Sequence, residues 1–259
     1  MTSIKRTIIA LLLIVPALSV GAQSYKVTAP TGNDALLVMK GFSGDMPVEG
    51  YAGTEIEIKT AVEEITPPER AKGLKAVYPA GTDNSGIGVS VDKKGNVTTI
   101  TCLIPFTRRQ GYSFRIPENL AVSIESGCEN DNKITITGLK KEINIKNCQD
   151  INLSNVSGPL VLSTISGNIT VTVSDLTTGK PSSINSVSGD IDLTLPLKAA
   201  LDIELNTVSG GVYTDFDIAE TKDNMKRIGG NQVGFALNGG GTKLSISAVS
   251  GNIYLRKGK

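Results

Sequence analysis

Three pairs of carboxylates stand two residues apart: Asp190 and Asp192, Asp202 and Glu204, Asp215 and Asp217. Residues so spaced on a strand share a face, and paired carboxylates are the working groups of glycoside hydrolysis. The rest of the chemistry is narrow. The chain of 259 residues contains no His, so every triad or metal site that requires imidazole is excluded. No Gly-rich phosphate loop leads into a helix. The carboxylate pairs belong to different repeats and sit beside Thr and Ser, as solvated outward residues do. We therefore assign no catalytic residue, no cofactor site and no metal site. A calcium site at one of the pairs lacks a contiguous ligand loop.

The three cysteines are Cys102, Cys128 and Cys148. An odd number in an exported chain leaves one over. Cys128 and Cys148 are 20 residues apart, one circuit of the repeat set out below, which places them one above the other on the same edge. Stacked circuits bring α-carbons to about 5 Å, which suits a disulfide, and an oxidising compartment favours one. The spacing predicts a Cys128–Cys148 bond; the alternative is two free, stacked turn thiols. Cys102, inside Ile100–Ile104, reads as a small core residue. Three scattered cysteines without His make no zinc site.

One outward column remains. Asp192, Tyr213 and Tyr254 fall at equivalent positions of successive strands, with Asp215 and Arg256 beside them. Aromatics on a flat β face can stack on sugars or on a partner protein. The other reading is ordinary strand-surface Tyr.

What positions these residues is a repeat. An aliphatic-Ser-Gly tripeptide recurs at Val156–Gly158, Ile165–Gly167, Val187–Gly189, Val208–Gly210 and Val249–Gly251, and Phe42-Ser43-Gly44 is a sixth copy with an aromatic in the aliphatic slot. Two residues after each glycine stand Leu160, Ile169, Ile191, Val212 and Ile253; four after stand Leu162, Val171, Leu193, Thr214 and Leu255. This period of two is a half-buried strand after a turn. Gly supplies positive φ, and Asn168, Asp190 or Asn252 just after it can bond the local backbone.

Gly127, Cys148, Gly167, Gly189, Gly210, Gly230 and Gly251 are spaced by 19 to 22 residues, and Gly138, Gly158 and Gly179 form a second series between them. A strand out, a turn, a strand back and a turn make one circuit of ~20 residues, and circuits stack at ~4.8 Å. The pattern predicts an all-β chain built as a β-solenoid, a single-stranded β-helix-like stack; the alternative is a two-sheet β-sandwich. Six sequential intervals would span roughly 29 Å. Residues 23–115 are less regular and residues 116–257 carry the regular repeats. Pro67-Pro68 breaks the pattern, Ala80–Gly88 reads as a loop, and Lys93–Asn96 as a turn between strands. No linker divides residues 23–259.

The N-terminus sets the compartment. Lys5 and Arg6 precede an apolar run from Ile8 to Leu18, and Val20-Gly21-Ala22 supplies small residues before Gln23. That is a secretory signal peptide over residues 1–22, too short to span a bilayer, which needs roughly 20 apolar residues. Its removal takes two of 26 basic residues and none of the 25 acidic ones, leaving a net charge of −1. Nothing then attracts nucleic acid or an anionic membrane surface. The expectation is an exported protein, periplasmic or at the cell surface, with no lipid-attachment cysteine after the apolar run and no membrane span in the mature chain.

Several segments carry a family resemblance: Val38–Asp45, Ala71–Lys75, Asp83–Val89 and the serial Val-Ser-Gly-Asn/Asp-Ile copies. Over roughly residues 33–257 the chain resembles the putative-adhesin family of bacterial β-strand-repeat proteins, Bacteroidetes type. The resemblance implies export and a β-helical fold, and supplies no catalytic residues. The chain departs from the pattern at Cys148-Gln149-Asp150, where a Gly-Asp turn is usual. Two functions follow as expectations. The first is a non-enzymatic cell-surface binding protein, an adhesin contacting a protein or polysaccharide. The second is a periplasmic component of the envelope. A carbohydrate-active enzyme would need its carboxylates clustered in one groove. Solenoid ends also permit end-to-end self-association.

Overall fold

Alternation of period two dictates strands, and the computed structural model is built of them. It describes residues 23–60, 69–74, 77–104, 111–128, 133–176, 179–218, 225–226 and 231–258. Residues 1–22, expected to be a signal peptide, Pro67-Pro68 and Gly230 lie outside the described residues. Apart from one 3₁₀ turn at Glu69–Ala71, the regular structure among those described is β.

The chain forms two large sheets lying face to face. A strand of the second sheet, a corner and a strand of the first sheet make one rung. Eight rungs occur among the described residues. In chain order, the first pairs β2 (Leu36–Lys40) with β3 (Met46–Tyr51), and the second β6 (Val97–Cys102) with β7 (Tyr112–Pro117). Next come β8 (Ala121–Glu125) with β9 (Ile134–Thr137), β10 (Ile143–Lys146) with β11 (Ile151–Ser157), and β12 (Leu160–Thr164) with β13 (Ile169–Asp175). The last three are β14 (Ser182–Ser188) with β15 (Ile191–Leu195), β16 (Leu201–Ser209) with β17 (Val212–Thr214), and β20 (Thr242–Ser250) with β21 (Ile253–Lys257). Neighbouring rungs pair in parallel, which is a β-solenoid and not an antiparallel meander.

The order of rungs in space differs from their order in the chain. The second rung stacks outside the first, with β6 beside β2 and β7 beside β3. The chain then returns over the first rung to place β8 and β9 on its other side. The last rung inserts between two earlier ones: β20 pairs with both β14 and β16, and β21 with both β15 and β17. The expectation that Gly210, Gly230 and Gly251 mark successive circuits is therefore corrected. Residues 231–237 run back antiparallel as β19 (Asn231–Leu237) on β16, with β18 (Met225–Lys226) beyond. The repeat also reaches back to residue 36, further than the glycine spacing implies. At the other end the stack is finished by antiparallel strands: β4 (Glu55–Thr60) on β7 with β1 (Gln23–Thr28) outside it, and β5 (Val89–Lys94) on β6.

The core is a set of aliphatic columns. Ile134, Ile151, Ile169, Ile191 and Ile253 stack in register on the first sheet, as do Ile124, Ile145, Leu162, Ile184 and Ile246 on the second. All are 2% exposed or less. Val212 and Thr214, on the end rung, are only half-buried.

The corners carry two corrections. Val156 is fully buried at one corner, whereas Ile165, Val187, Val249 and Val208 sit at the opposite corner and are 47–63% exposed. The tripeptide thus marks two different environments. Nor do all of its glycines need positive φ: Gly44, Gly158 and Gly189 have it, and Gly167, Gly210 and Gly251 do not. A Cβ on Gly189 would strike the carbonyl of Gly167, one on Gly251 that of Gly189, and one on Gly210 that of Gly251. Close approach between rungs is the constraint. The following Asn and Asp bond the next rung, not the local turn. Asp150 accepts from Asn168 N (2.8 Å), Asn168 from Asp190 N (2.8 Å), Asp190 from Asn252 N (2.7 Å) and Asn252 from Gly211 N (2.9 Å).

Candidate functional site

The alternation that buries one face presents the other. On the first sheet the register aligns Asp192 of β15, Tyr254 of β21 and Tyr213 of β17 in one outward row. The two tyrosine rings stack with centroids 5.3 Å apart and planes 15° from parallel, an arrangement favoured between π-systems when offset. Tyr213 is 55% exposed. Its ring lies over Gly211, where a Cβ would strike it. Arg256 donates from Nε to Asp192 Oδ1 (2.7 Å) and from Nη2 to Oδ2 (2.9 Å), a bidentate charge-assisted pair. Its guanidinium is 5.6 Å from the Tyr254 ring centre. The hydrogen bond to Asp192, then that carboxylate's charge, raises the Arg256 pKa above its ordinary value. Asp215 accepts from Lys257 N (2.7 Å), which ties the end of β17 to β21. All five residues of the column thus converge at one end of the first sheet.

A second station lies at the other end of the same face, and sequence reasoning missed it. Arg115 of β7 stands 4.6 Å from the Tyr51 ring centre. It donates from Nη1 to Glu57 Oε2 (3.2 Å) and pairs through Nε with Glu49 Oε2 (3.4 Å). Tyr51 O–H donates to the Glu55 carbonyl (2.7 Å), and the ring lies over Gly53. Lys26 donates to Glu57 (2.8 Å), and that bond leads the lowering of the Glu57 pKa. Arg115, Glu49 and Glu57 border a concavity of about 510 Å³ that also takes in Lys59, Ser113, Thr135 and Thr137. Its residues meet because β7 inserts between β3 and β4, an event no local pattern announces. The one local signal is a glycine two residues from a tyrosine, as at Tyr51/Gly53 and Gly211/Tyr213.

Between the stations the outward positions of β9, β11 and β13 include Thr135, Thr137, Asn152, Ser154, Thr170 and Thr172, none of them charged; the end of β13 adds exposed Ser174 and Asp175. Thr137 and Ser154 share a hydroxyl hydrogen bond of 2.9 Å.

The carboxylate pairs do not meet. Only Asp202 and Glu204 share a strand, β16 of the second sheet, and Glu204 pairs with Lys243 at 3.1 Å. The hydrogen bond from Lys243 leads the lowering of the Glu204 pKa. Asp190 and Asp192 flank the start of β15 on the first sheet, and Asp190 is held in the corner ladder. Asp215 and Asp217 follow β17, and Asp217 pairs with Lys257 at 3.2 Å. Cys128 and Cys148 are joined by a disulfide with α-carbons 5.0 Å apart, linking two adjacent rungs. Cys102 lies in the core on β6, 5% exposed. Among the described residues no group of three or more His, Cys, Asp or Glu stands together as metal ligands would, and no helix is long and apolar enough to cross a membrane.

Residues 130–256 match the Toastrack DUF4097 family. None of the curated proteins matches the chain. Three solved structures resemble it across 92% of its length. One is described as a putative cell adhesion protein from Clostridium sporogenes, at 13% identity, 100% coverage of that chain and a TM-score of 0.40. The others are described as putative adhesins. That from Bacteroides fragilis shows 14% identity, 97% coverage and a TM-score of 0.35; that from Parabacteroides merdae shows 11%, 96% and 0.30.

Proposed function

We propose, from the match of residues 130–256 to the Toastrack family and from the geometry of the first sheet, that the protein is an exported, non-enzymatic binding protein that presents the outer face of that sheet to a partner. One observation carries the reading: five outward residues from three strands are gathered into an ordered row at one end of that face. The tyrosines are stacked and the arginine is held by Asp192 before any partner arrives, so little side-chain entropy is lost on contact. The carboxylates support the non-enzymatic part. The three pairs stand apart, Asp190, Asp192, Asp215 and Asp217 at the first sheet and Asp202 and Glu204 on the second; Glu49 and Glu57, which do meet, are both held on Arg115. Cell adhesion is the finer reading, and a periplasmic envelope role is the second.

Protease treatment of intact cells, followed with an antibody to residues 23–259, separates the two locations. Digestion without lysis places the protein at the surface. Protection until the outer membrane is permeabilised removes adhesion and turns the search to periplasmic partners.

A further inference from the structure

The face offers three kinds of chemistry in a fixed order. At one end is the Tyr213–Tyr254 stack with the Asp192–Arg256 pair. At the other is Tyr51 under Arg115, with Glu49 and Glu57. From β3 to β21 there are five strand steps, roughly 24 Å, and the three strands next to β3 offer hydroxyl and amide groups at their facing positions, with one carboxylate, Asp175, at the exposed end of β13.

Each feature bears on the occupant. The buried core of a protein interface is about two-thirds apolar and gathers its aromatic anchors there, whereas the middle of this face carries hydroxyl and amide groups and its aromatics stand at the ends. A polyanion needs a surplus of basic charge. Here Arg256 is neutralised by Asp192, and Arg115 by Glu49 and Glu57. What remains matches an uncharged polyol chain, with the outer ring face of Tyr213 for a pyranose at one end and a row of donors and acceptors for hydroxyls along the face. Tyr213 is on the last strand of the sheet, Tyr254 is on one side of it, and among the described residues no strand lies on the other.

We infer that the outer face of the first sheet binds a neutral polysaccharide laid along the stacking axis, with the Tyr213–Tyr254 pair as its stacking platform. The inference rests on the reading of the chain as a binding protein and names its ligand class.

Affinity electrophoresis of the purified protein through gels containing hydroxyethyl cellulose, galactomannan, laminarin or polygalacturonate tests it. At least one neutral polymer retards the protein, equally at about 50 and 500 mM NaCl, because no net charge is engaged. Tyr213→Ala and Tyr254→Ala each weaken the retardation roughly tenfold, while Tyr213→Phe retains it and far-UV circular dichroism shows all three folded. The inference is overturned if no neutral polymer retards the protein, if only polygalacturonate does, or if the alanine variants are retarded like the parent. It is also overturned if light scattering shows a concentration-dependent dimer that Tyr213→Ala abolishes, which would make the face a contact between two copies. Those outcomes leave the binding-protein reading standing. That reading falls instead if the same incubations release reducing ends from any polymer.

Discussion

The two ends of the stack share a device and differ in how they finish. At each end the outermost rung is not the terminal one in the chain, and the rung nearest the chain's end is clamped inside. At the β6/β7 end both sheets continue into antiparallel strands, β4 and β1 on one and β5 on the other. At the β16/β17 end the second sheet continues into β19 and β18, but the first stops at the three-residue β17 among the described residues. The closed end packs three core aromatics together, with Phe42 edge-on to Tyr112 and Phe114 at 5.3 and 5.0 Å. The open end buries Phe216 and turns Tyr213 and Tyr254 outward. A short edge resists pairing with other chains, so aromatic groups can stand there without making the end a site of strand addition.

The largest test of this contrast is deletion from either terminus. Stopping the chain after Gly241 removes β20 and β21, with Leu244, Ile246, Ile253 and Leu255 all 1% exposed or less. At about 1.5–3 kcal/mol per large buried side chain this is roughly 6–12 kcal/mol, comparable with the whole stability of a domain. It also strips β16 and β17 of their inner partner. The C-terminal half is expected to lose its cooperative unfolding transition in calorimetry. Removing Gln23–Thr28 takes away one buried apolar side chain, Val27, and is expected to cost about 2 kcal/mol. Equal effects would show that the insertion of the last rung adds no stability.

The disulfide sits between these regions, fastening the rung of β8 and β9 to that of β10 and β11. Closing a 20-residue loop is worth about 3 kcal/mol in the chain-entropy account. Replacing both cysteines by Ser is expected to lower the urea midpoint accordingly with an unchanged slope.

Equivalent glycines sharpen the comparison. Gly251 sits where a Cβ would collide with the Gly189 carbonyl, while Gly44, in the equivalent corner of the first rung, has open space but φ of +80°. Gly251→Ala should cost about 2–3 kcal/mol through overpacking, and Gly44→Ala about 1–2 kcal/mol through the left-handed backbone alone. Gly44→Asn should recover part of that loss, because Asn tolerates this conformation, whereas Gly251→Asn should not.

The smallest effect is electrostatic. Lys26 of β1 lowers the Glu57 pKa in the folded state. A carboxyl whose folded pKa is depressed stabilises the fold above its unfolded value and loses that contribution as pH falls through the folded one. Hydrogen exchange should therefore show β1 loosening as pH drops below about 4, and Lys26→Gln should reduce the dependence without abolishing it, since Arg115 also lowers the Glu57 pKa; the Glu204–Lys243 pair gives β16 and β20 a dependence of the same sign.

Much of the site was legible in advance, and the reason is local. Asp192, Tyr213, Asp215, Tyr254 and Arg256 stand at fixed offsets from their corner glycines, and a period of two sends them outward whichever rung neighbours which. Their contacts were not legible. Arg256 bonds Asp192 and Tyr254 meets Tyr213 because β21 lies between β15 and β17, although β17 precedes it by some 40 residues. The station at Tyr51 and Arg115 was hidden for the same reason. The corner Asn and Asp were assigned to turns because short polar side chains serve that role in isolation; stacked corners offer them a nearer N–H on the next rung.

The amino-acid sequence alone settles which residues are strand, which face each side chain takes and how long a circuit is, since these depend on alternation and turn chemistry within about 20 residues. The order of the rungs is decided only in three dimensions. Every rung offers its neighbours nearly the same edge of backbone donors and acceptors and the same aliphatic columns, so pairing energies scarcely distinguish one permutation from another. The distinction comes from what covers the ends, from the connections that must span a skipped rung at residues 118–120 and 196–200, and from the antiparallel pairing of β19 on β16, which carries the last rung back into the stack.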